Sequence, residues 1–226
     1  MHLELERVTR RFGGTVAVDG LSLELPTGGV VGLLGTNGAG KSTTLKLMAG
    51  LLYPDAGEVR LDGAPPRRVR GAIAFLPERG QMYEWLDVRG AVGLFGSLYP
   101  DFRPERFYEL LDQLEVPRRS LTRLSKGQRA RFLLAATLAR KVRLYLLDEP
   151  LGGVDLITRD RILAALVSEW REDATYVLST HEVAEAEGIF DRAVFMKEGR
   201  VVLNASAEEL RERGQSVAQA FREVLA

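Results

Sequence analysis

The chain has no cysteine. Disulfides, thiolate metal sites and cysteine nucleophiles are excluded together, and the absence fits a reducing compartment. Histidine occurs only as His2 and His181, too few for a metal centre built from imidazoles. Asparagine is nearly missing, with Asn37 and Asn204 alone, and arginine far outnumbers lysine. That bias accompanies both thermophilic proteins and GC-rich genomes. Neither sign of charge is in excess. The 31 Lys and Arg balance 31 Asp and Glu, so there is no bulk basic field and no nucleic-acid partner is expected. No run approaches the roughly 20 apolar residues that span a bilayer. The start, Met1-His2-Leu3-Glu4-Leu5-Glu6, is acidic and alternating, unlike a signal peptide. The chain is expected to be soluble and cytoplasmic unless a membrane partner holds it. Internal repeats and low-complexity linkers are also absent.

With 226 residues, 46% of them hydrophobic, the chain can bury one large core. Period two predicts strands over 3–8 and 21–25, with Pro26-Thr27-Gly28-Gly29 as the next turn. Val30-Val31-Gly32-Leu33-Leu34 is almost continuously apolar, which suits a strand buried on both faces. A helix to about Leu51 follows, then strands over 59–61 and 73–76. From Pro77 to Lys141 the period becomes helical. One helix is predicted over 87–98, with Val88, Val92 and Phe95 on its apolar face. Another covers 104–114, with Phe107, Leu110, Leu111 and Leu114 inward and Pro104 in its first turn. A third starts after Ser125. Strands over 144–147 and 176–179 flank a helix over 159–170, which implies a parallel crossover. A hairpin is predicted from 192–196 and 201–203, turning at 197–200, and a helical tail over 216–225. The fold class is therefore α/β. A mostly parallel sheet with an antiparallel β part occupies 1–76 and 142–205. A helical subdomain is inserted at 77–141, and a short tail covers 206–226, all in one domain.

The segment Gly35-Thr36-Asn37-Gly38-Ala39-Gly40-Lys41-Ser42 matches G-x-x-x-x-G-K-[ST] in full. It follows a buried strand and opens a helix, the context of a P-loop NTPase. Loop amides and the helix N-terminus can surround phosphates. Lys41 can neutralise the β- and γ-phosphates, and the Ser42 hydroxyl can bind Mg²⁺. The run Leu144-Tyr145-Leu146-Leu147-Asp148-Glu149-Pro150 closes a second buried strand with two carboxylates. Asp148 is placed for the metal shell, and Glu149 to orient or deprotonate an attacking water. His181 follows the strand 176–180, at the strand end where such sheets bind ligands, within reach of a γ-phosphate or that water. Leu124-Ser125-Lys126-Gly127-Gln128 opens a helix on another surface and points to a second anion site.

These four segments, in the chain order 35–42, 124–128, 144–150 and His181, resemble the ATPase subunit of ABC transporters over roughly residues 2–205. The resemblance implies two such chains packed head to tail around two ATP molecules, each with Mg²⁺. It implies that 35–42 and Thr43 bind ATP, and that Ser125, Gly127 and Gln128 reach the γ-phosphate held by the partner's loop. The partner is a second copy or a homologous subunit. The resemblance further implies Phe12 stacked on adenine, Asp155 communicating across the dimer, Glu149 as catalytic glutamate and His181 as switch histidine. The helical insertion corresponds to the part that docks on a membrane permease, which places the chain on the inner face of the membrane. The implied activity is ATP hydrolysis driving transport. Asn37-Gly38-Ala39-Gly40 and Leu76-Pro77-Glu78-Arg79-Gly80-x-x-Tyr83 look like the exporter branch.

Three positions depart from the family's commonest pattern. Lys126 replaces a glycine, Gly152 replaces a serine, and Glu78 stands where a glutamine usually binds the metal. A carboxylate at Glu78 can still bind Mg²⁺, but it adds negative charge near ATP and is expected to slow hydrolysis or sharpen its metal dependence. The alternative function is a soluble ABC-type ATPase in macromolecular assembly, without a permease. A kinase or small GTPase leaves the segment at 124–128 unexplained.

Overall fold

A computed structural model describes residues 2–225 apart from 81, 84 and 85, and without the Leu225 side chain. Gln81 of the run ending at Tyr83, and the terminal Met1 and Ala226, therefore lie outside the described residues. Three strands, β1 (Leu3–Phe12), β2 (Thr15–Leu25) and β4 (Ala56–Leu61), form an antiparallel sheet in the order β2-β1-β4. Six strands form the main sheet: β3 (Val30–Leu34), β5 (Ile73–Leu76), β6 (Leu144–Asp148), β7 (Thr175–Thr180), β8 (Arg192–Lys197) and β9 (Arg200–Ser206). Their order is β5-β6-β7-β3-β8-β9, and β9 alone runs antiparallel.

Period two on the parallel strands feeds two separate cores. Val31, Leu33, Leu144, Leu146, Val177, Val194 and Met196 point to one face. There they meet the antiparallel sheet and helix α1 (Lys41–Met48). Their alternates Leu34, Tyr145, Leu147, Tyr176, Leu178 and Phe195 face the other side. That side is covered by α2 (Val88–Leu98), α3 (Pro104–Gln113), α4 (Lys126–Leu138) and α5 (Leu156–Ser168). A strand buried on both faces is apolar at most positions, which is why these strands read as near-continuous hydrophobic runs. The hairpin β8–β9 turns through Glu198 and Gly199, at φ 49° and 77°, the left-handed pair that a two-residue turn between twisted strands requires.

Helices α2, α3 and α4 lie between β5 and β6 in the chain, and buried charges tie them to the sheet. Arg103 and Arg106, at the start of α3, both reach the Glu169 carboxylate at the end of α5. Arg140, just after α4, forks onto Asp101 at 3.0 and 3.1 Å and donates to the carbonyls of Ile73 and Gly71 at 2.7 and 3.0 Å. The Tyr145 and Tyr176 rings stack in parallel beneath this network, 4.5 Å apart. Burial raises both phenol pKa values, so both stay neutral and donate, to the Arg140 and Glu169 carbonyls.

Helix α6 (Val183–Ala186) lies between β7 and β8, and the chain closes with α7 (Ala207–Glu212) and α8 (Val217–Leu225). Sequence periodicity misses α7, which a capping box of Ser206 and Glu209 starts. The tail packs on the core, with Val217 and Ala220 buried and Phe221 edge-on to Phe195 at 5.8 Å.

Candidate functional site

The loop between β3 and α1 is held open by glycine. Gly40 has φ 98°, and a Cβ there would lie 2.3 Å from the Ala17 carbonyl of β2. Only glycine lets the loop turn this tightly against that strand. The loop is braced from within by Ala39 N–H donating to the Thr36 carbonyl at 3.1 Å. The hairpin tip braces it from outside, Gly199 N–H donating to the Ala39 carbonyl at 3.0 Å. Thr36, Asn37 and Gly38 face solvent, while Ser42 and Thr43 stand half-buried in the first turn of α1. The first-turn amides of a helix have no helical acceptor, so they offer a set of donors to an anion.

Lys41 is buried, and its Nζ folds back to donate to the Gly35 and Thr36 carbonyls at 2.8 and 3.2 Å. It also lies 3.4 Å from Glu149 Oε1. Parallel pairing of β6 with β7, and of β7 with β3, brings the acids to the loop. Ser42 Oγ donates to Asp148 Oδ1 at 2.9 Å. Glu149 follows in the left-handed region at φ 48°, a strained setting for a side chain of its size. Its side chain is 10% exposed, its Oε1 lies 3.0 Å from His181 Nδ1, and its Oε2 is buried without a hydrogen-bond partner. A buried carboxylate oxygen left unpaired is costly, and it marks a place for an absent donor.

The structure thus joins Lys41, Ser42, Asp148, Glu149 and His181 in one cluster. Other predicted residues stand apart. Glu78, past the end of β5, is about half-exposed, and its carboxylate lies 3.7 Å from Arg79 Nε. Among the described residues it makes no hydrogen bond to Ser42 or Asp148, because the segment after β5 leaves the sheet edge toward solvent. Phe12 lies 47% exposed at the end of β1, with the Arg10 guanidinium 4.8 Å over its ring. That exposure sets it apart from the core phenylalanines. Ser125 caps α4 in a box with Gln128, at 3.2 and 3.0 Å, and Ser125, Lys126 and Gly127 are exposed. Among the described residues, no hydrogen bond or ion pair joins 125–128 to 35–42. Asp155 caps α5, which starts three residues earlier than periodicity predicts. The Thr158 amide and hydroxyl hold its carboxyl below the ordinary value.

Residues 18–152 match the family model described as "ABC transporter". The chain belongs to the ABC transporter family. An aliphatic sulfonates import ATP-binding protein of Pseudomonas putida is 35% identical over 210 residues, covering 91% of this chain and 77% of the relative. An Fe(3+) ions import ATP-binding protein of Pseudomonas fluorescens is 34% identical, covering 92% of this chain and 62% of the relative. Among solved structures, an ATP-binding subunit of an ABC transporter superposes with TM-score 0.88 at 26% identity, both chains covered in full. A dimeric ATP-binding cassette bound to ADP and Pi superposes with TM-score 0.79 at 24% identity, covering 90% of this chain and 98% of that one. The ABC cassette fold, a P-loop NTPase sheet carrying helices, is therefore that of this chain.

One residue of the cluster escapes the sequence. Ser179 of β7 is fully buried beside both acids, and its Oγ donates to Asp148 Oδ1 at 2.6 Å. Only the β6–β7 register, which sets Asp148 opposite Ser179, shows the pairing.

Proposed function

We propose that this chain is the ATP-hydrolysing subunit that drives a separate membrane permease, working as a head-to-tail dimer. The observation that carries the chemistry is Glu149, with one buried carboxylate oxygen unpaired and the other 3.4 Å from Lys41. The chain is an ATPase of the ABC type. Water attacks the γ-phosphorus in line, the bond to the ADP oxygen breaks, and the water's proton passes to Glu149. His181, bonded to the same carboxylate, orients it. Lys41 must leave the Gly35 and Thr36 carbonyls to reach the phosphates, so nucleotide binding replaces internal bonds rather than filling an idle pocket.

Mg²⁺ suits the donor set here, since Ser42 and Asp148 present two hard oxygens in one cluster. Those two residues would hold it, and when bound it supplies charge neutralisation on the phosphates. Glu78 stands apart from these two residues and is about half-exposed, so it would act on metal dependence only through its charge. Glu78→Gln is expected to change the Mg²⁺ concentration for half-maximal hydrolysis by about threefold, the size of an exposed charge effect. An unchanged Mg²⁺ titration shows that the Glu78 charge does not reach the metal site.

The exposed N-terminus of α4 supports completion of the site by a second copy. Ser125, Gly127 and Gln128 offer donors and a helix dipole that their own loop does not use. A cleft of ≈ 270 Å³ between β5, α2 and α4, lined by Leu76, Met82, Phe95, Tyr99 and Leu133, supports docking of a permease. No helix among the described residues is long and apolar enough to cross a membrane. A cytoplasmic place on the membrane's inner face follows from the permease. On direction, the resemblance at Asn37–Gly40 and 76–83 implies export, but the sulfonate and Fe(3+) relatives, named for import, do not support it.

Affinity purification from detergent-solubilised membranes tests the coupling. A polytopic membrane protein should co-purify and raise ATP turnover on reconstitution. Recovery of soluble partners alone, with full turnover in their presence, overturns it in favour of an assembly ATPase.

A further inference from the structure

We propose that Ser179 is a positioning residue for hydrolysis, holding Asp148 and Glu149 in one geometry through a single hydroxyl. The inference rests on the hydrolytic roles proposed for those two acids.

Ser179 is the last residue but one of a strand that is buried at every position, Thr175 to Thr180. A hydroxyl there is unfavourable unless its bonds are made, and Ser179 makes both. Its one proton goes to Asp148 Oδ1 at 2.6 Å. Its oxygen accepts the Glu149 N–H at 3.0 Å, and the Ser179 carbonyl shares that N–H at 3.2 Å.

The two bonds do different things. The first gives Asp148 Oδ1 a second hydroxyl donor beside Ser42, which fixes the rotation of the carboxylate. The second pins the Glu149 backbone, which sits at φ 48° where a non-glycine residue is strained. That strained turn is what directs the Glu149 side chain between Lys41 and His181. The hydroxyl therefore couples the orientation of one acid to the position of the other. Alanine keeps the fold and loses both bonds. Threonine keeps both, at the cost of one added methyl.

The test is a series of Ser179→Ala, Ser179→Thr and Glu149→Gln, assayed for kcat, KM and Mg²⁺ dependence. Binding of a fluorescent ATP analogue, with and without Mg²⁺, is measured alongside the melting midpoint. Ser179→Ala should lose about tenfold in kcat, the effect of one positioning hydrogen bond, with KM within about twofold. Analogue binding without Mg²⁺ should stay at the wild-type value, and the gain in affinity on adding Mg²⁺ should shrink. Ser179→Thr should recover kcat to within about threefold. A Ser179→Ala chain with wild-type kcat overturns the proposal. So does one whose metal-free binding and melting midpoint fall together with kcat, since that marks a structural role. A Ser179→Thr chain that melts normally yet stays slow overturns it as well. If threonine does not fit, the Mg²⁺ response of Ser179→Ala decides alone. Full turnover in Glu149→Gln refutes the hydrolytic roles instead, and is thereby distinguishable.

Discussion

Lys41→Ala will leave a folded chain that binds ATP about a hundredfold more weakly and hydrolyses it at least a thousandfold more slowly. Its Nζ is the one cation that touches both the loop carbonyls and the Glu149 carboxylate among the described residues. Two effects oppose each other in the variant. Loss of the ammonium removes the charge that meets the β- and γ-phosphates. It also frees the loop from internal bonds that nucleotide binding must otherwise break, which by itself favours binding. The first effect is larger, because phosphoryl transfer develops charge that only fixed cations and donors can stabilise. The Glu149 carboxylate is left buried without its ammonium, so a stability loss of about 1–3 kcal/mol accompanies the change. Calorimetric titration with ATP and phosphate release in single turnover read the two effects separately. Retention of more than a tenth of wild-type turnover contradicts the role of Lys41.

The parts of the fold legible in the sequence are those where one residue type repeats along a buried element. Val30–Leu34 and Ile73–Leu76 match the predicted strands residue for residue, because each must be apolar on both faces. The antiparallel strands are longer than predicted. β1 runs to Phe12 and β2 begins at Thr15, since their outer ends alternate with exposed polar residues that periodicity cannot separate from a loop. The Asp155 cap sets the start of α5 at Leu156, and periodicity misses it because Leu156 and Ile157 of the first turn are exposed.

Legibility of the site divides in the same way. Glycine spacing and the acids at a strand end identify the loop, Asp148 and Glu149, because both are local in the chain. Three features depend on how side chains turn or pair in the folded chain and leave no local pattern. These are the inward fold of Lys41, the hydroxyl of Ser179 opposite Asp148, and the turning of Glu78 toward Arg79. The segment at 124–128 was legible as a helix start on another surface, and 125–127 are exposed in the structure.

Glu149→Gln separates the chemistry from the dimer. Glutamine is nearly isosteric and keeps an oxygen for His181, now 3.0 Å away, but it accepts no proton from water. Turnover should fall about a thousandfold, in the range for loss of a general base. ATP affinity should rise at the same time. Lys41 sits 3.4 Å from the carboxylate, and a neutral amide releases it toward the phosphates. Bound ATP that is not consumed then favours whichever state holds it better. If the exposed N-terminus of α4 from a second copy completes the site, that state is the dimer, and its population grows with the difference in affinity. Light scattering should show a monomer without nucleotide and a dimer with ATP. Adding Lys126→Glu to the Glu149→Gln chain should weaken that dimer, because a carboxylate would then face the partner's phosphates. Each outcome falls on a separate claim. Turnover kept at the wild-type rate refutes Glu149 as the base. Turnover lost without any dimer refutes the second anion site and leaves the chemistry standing. A dimer indifferent to the charge at 126 places the contact elsewhere than the start of α4.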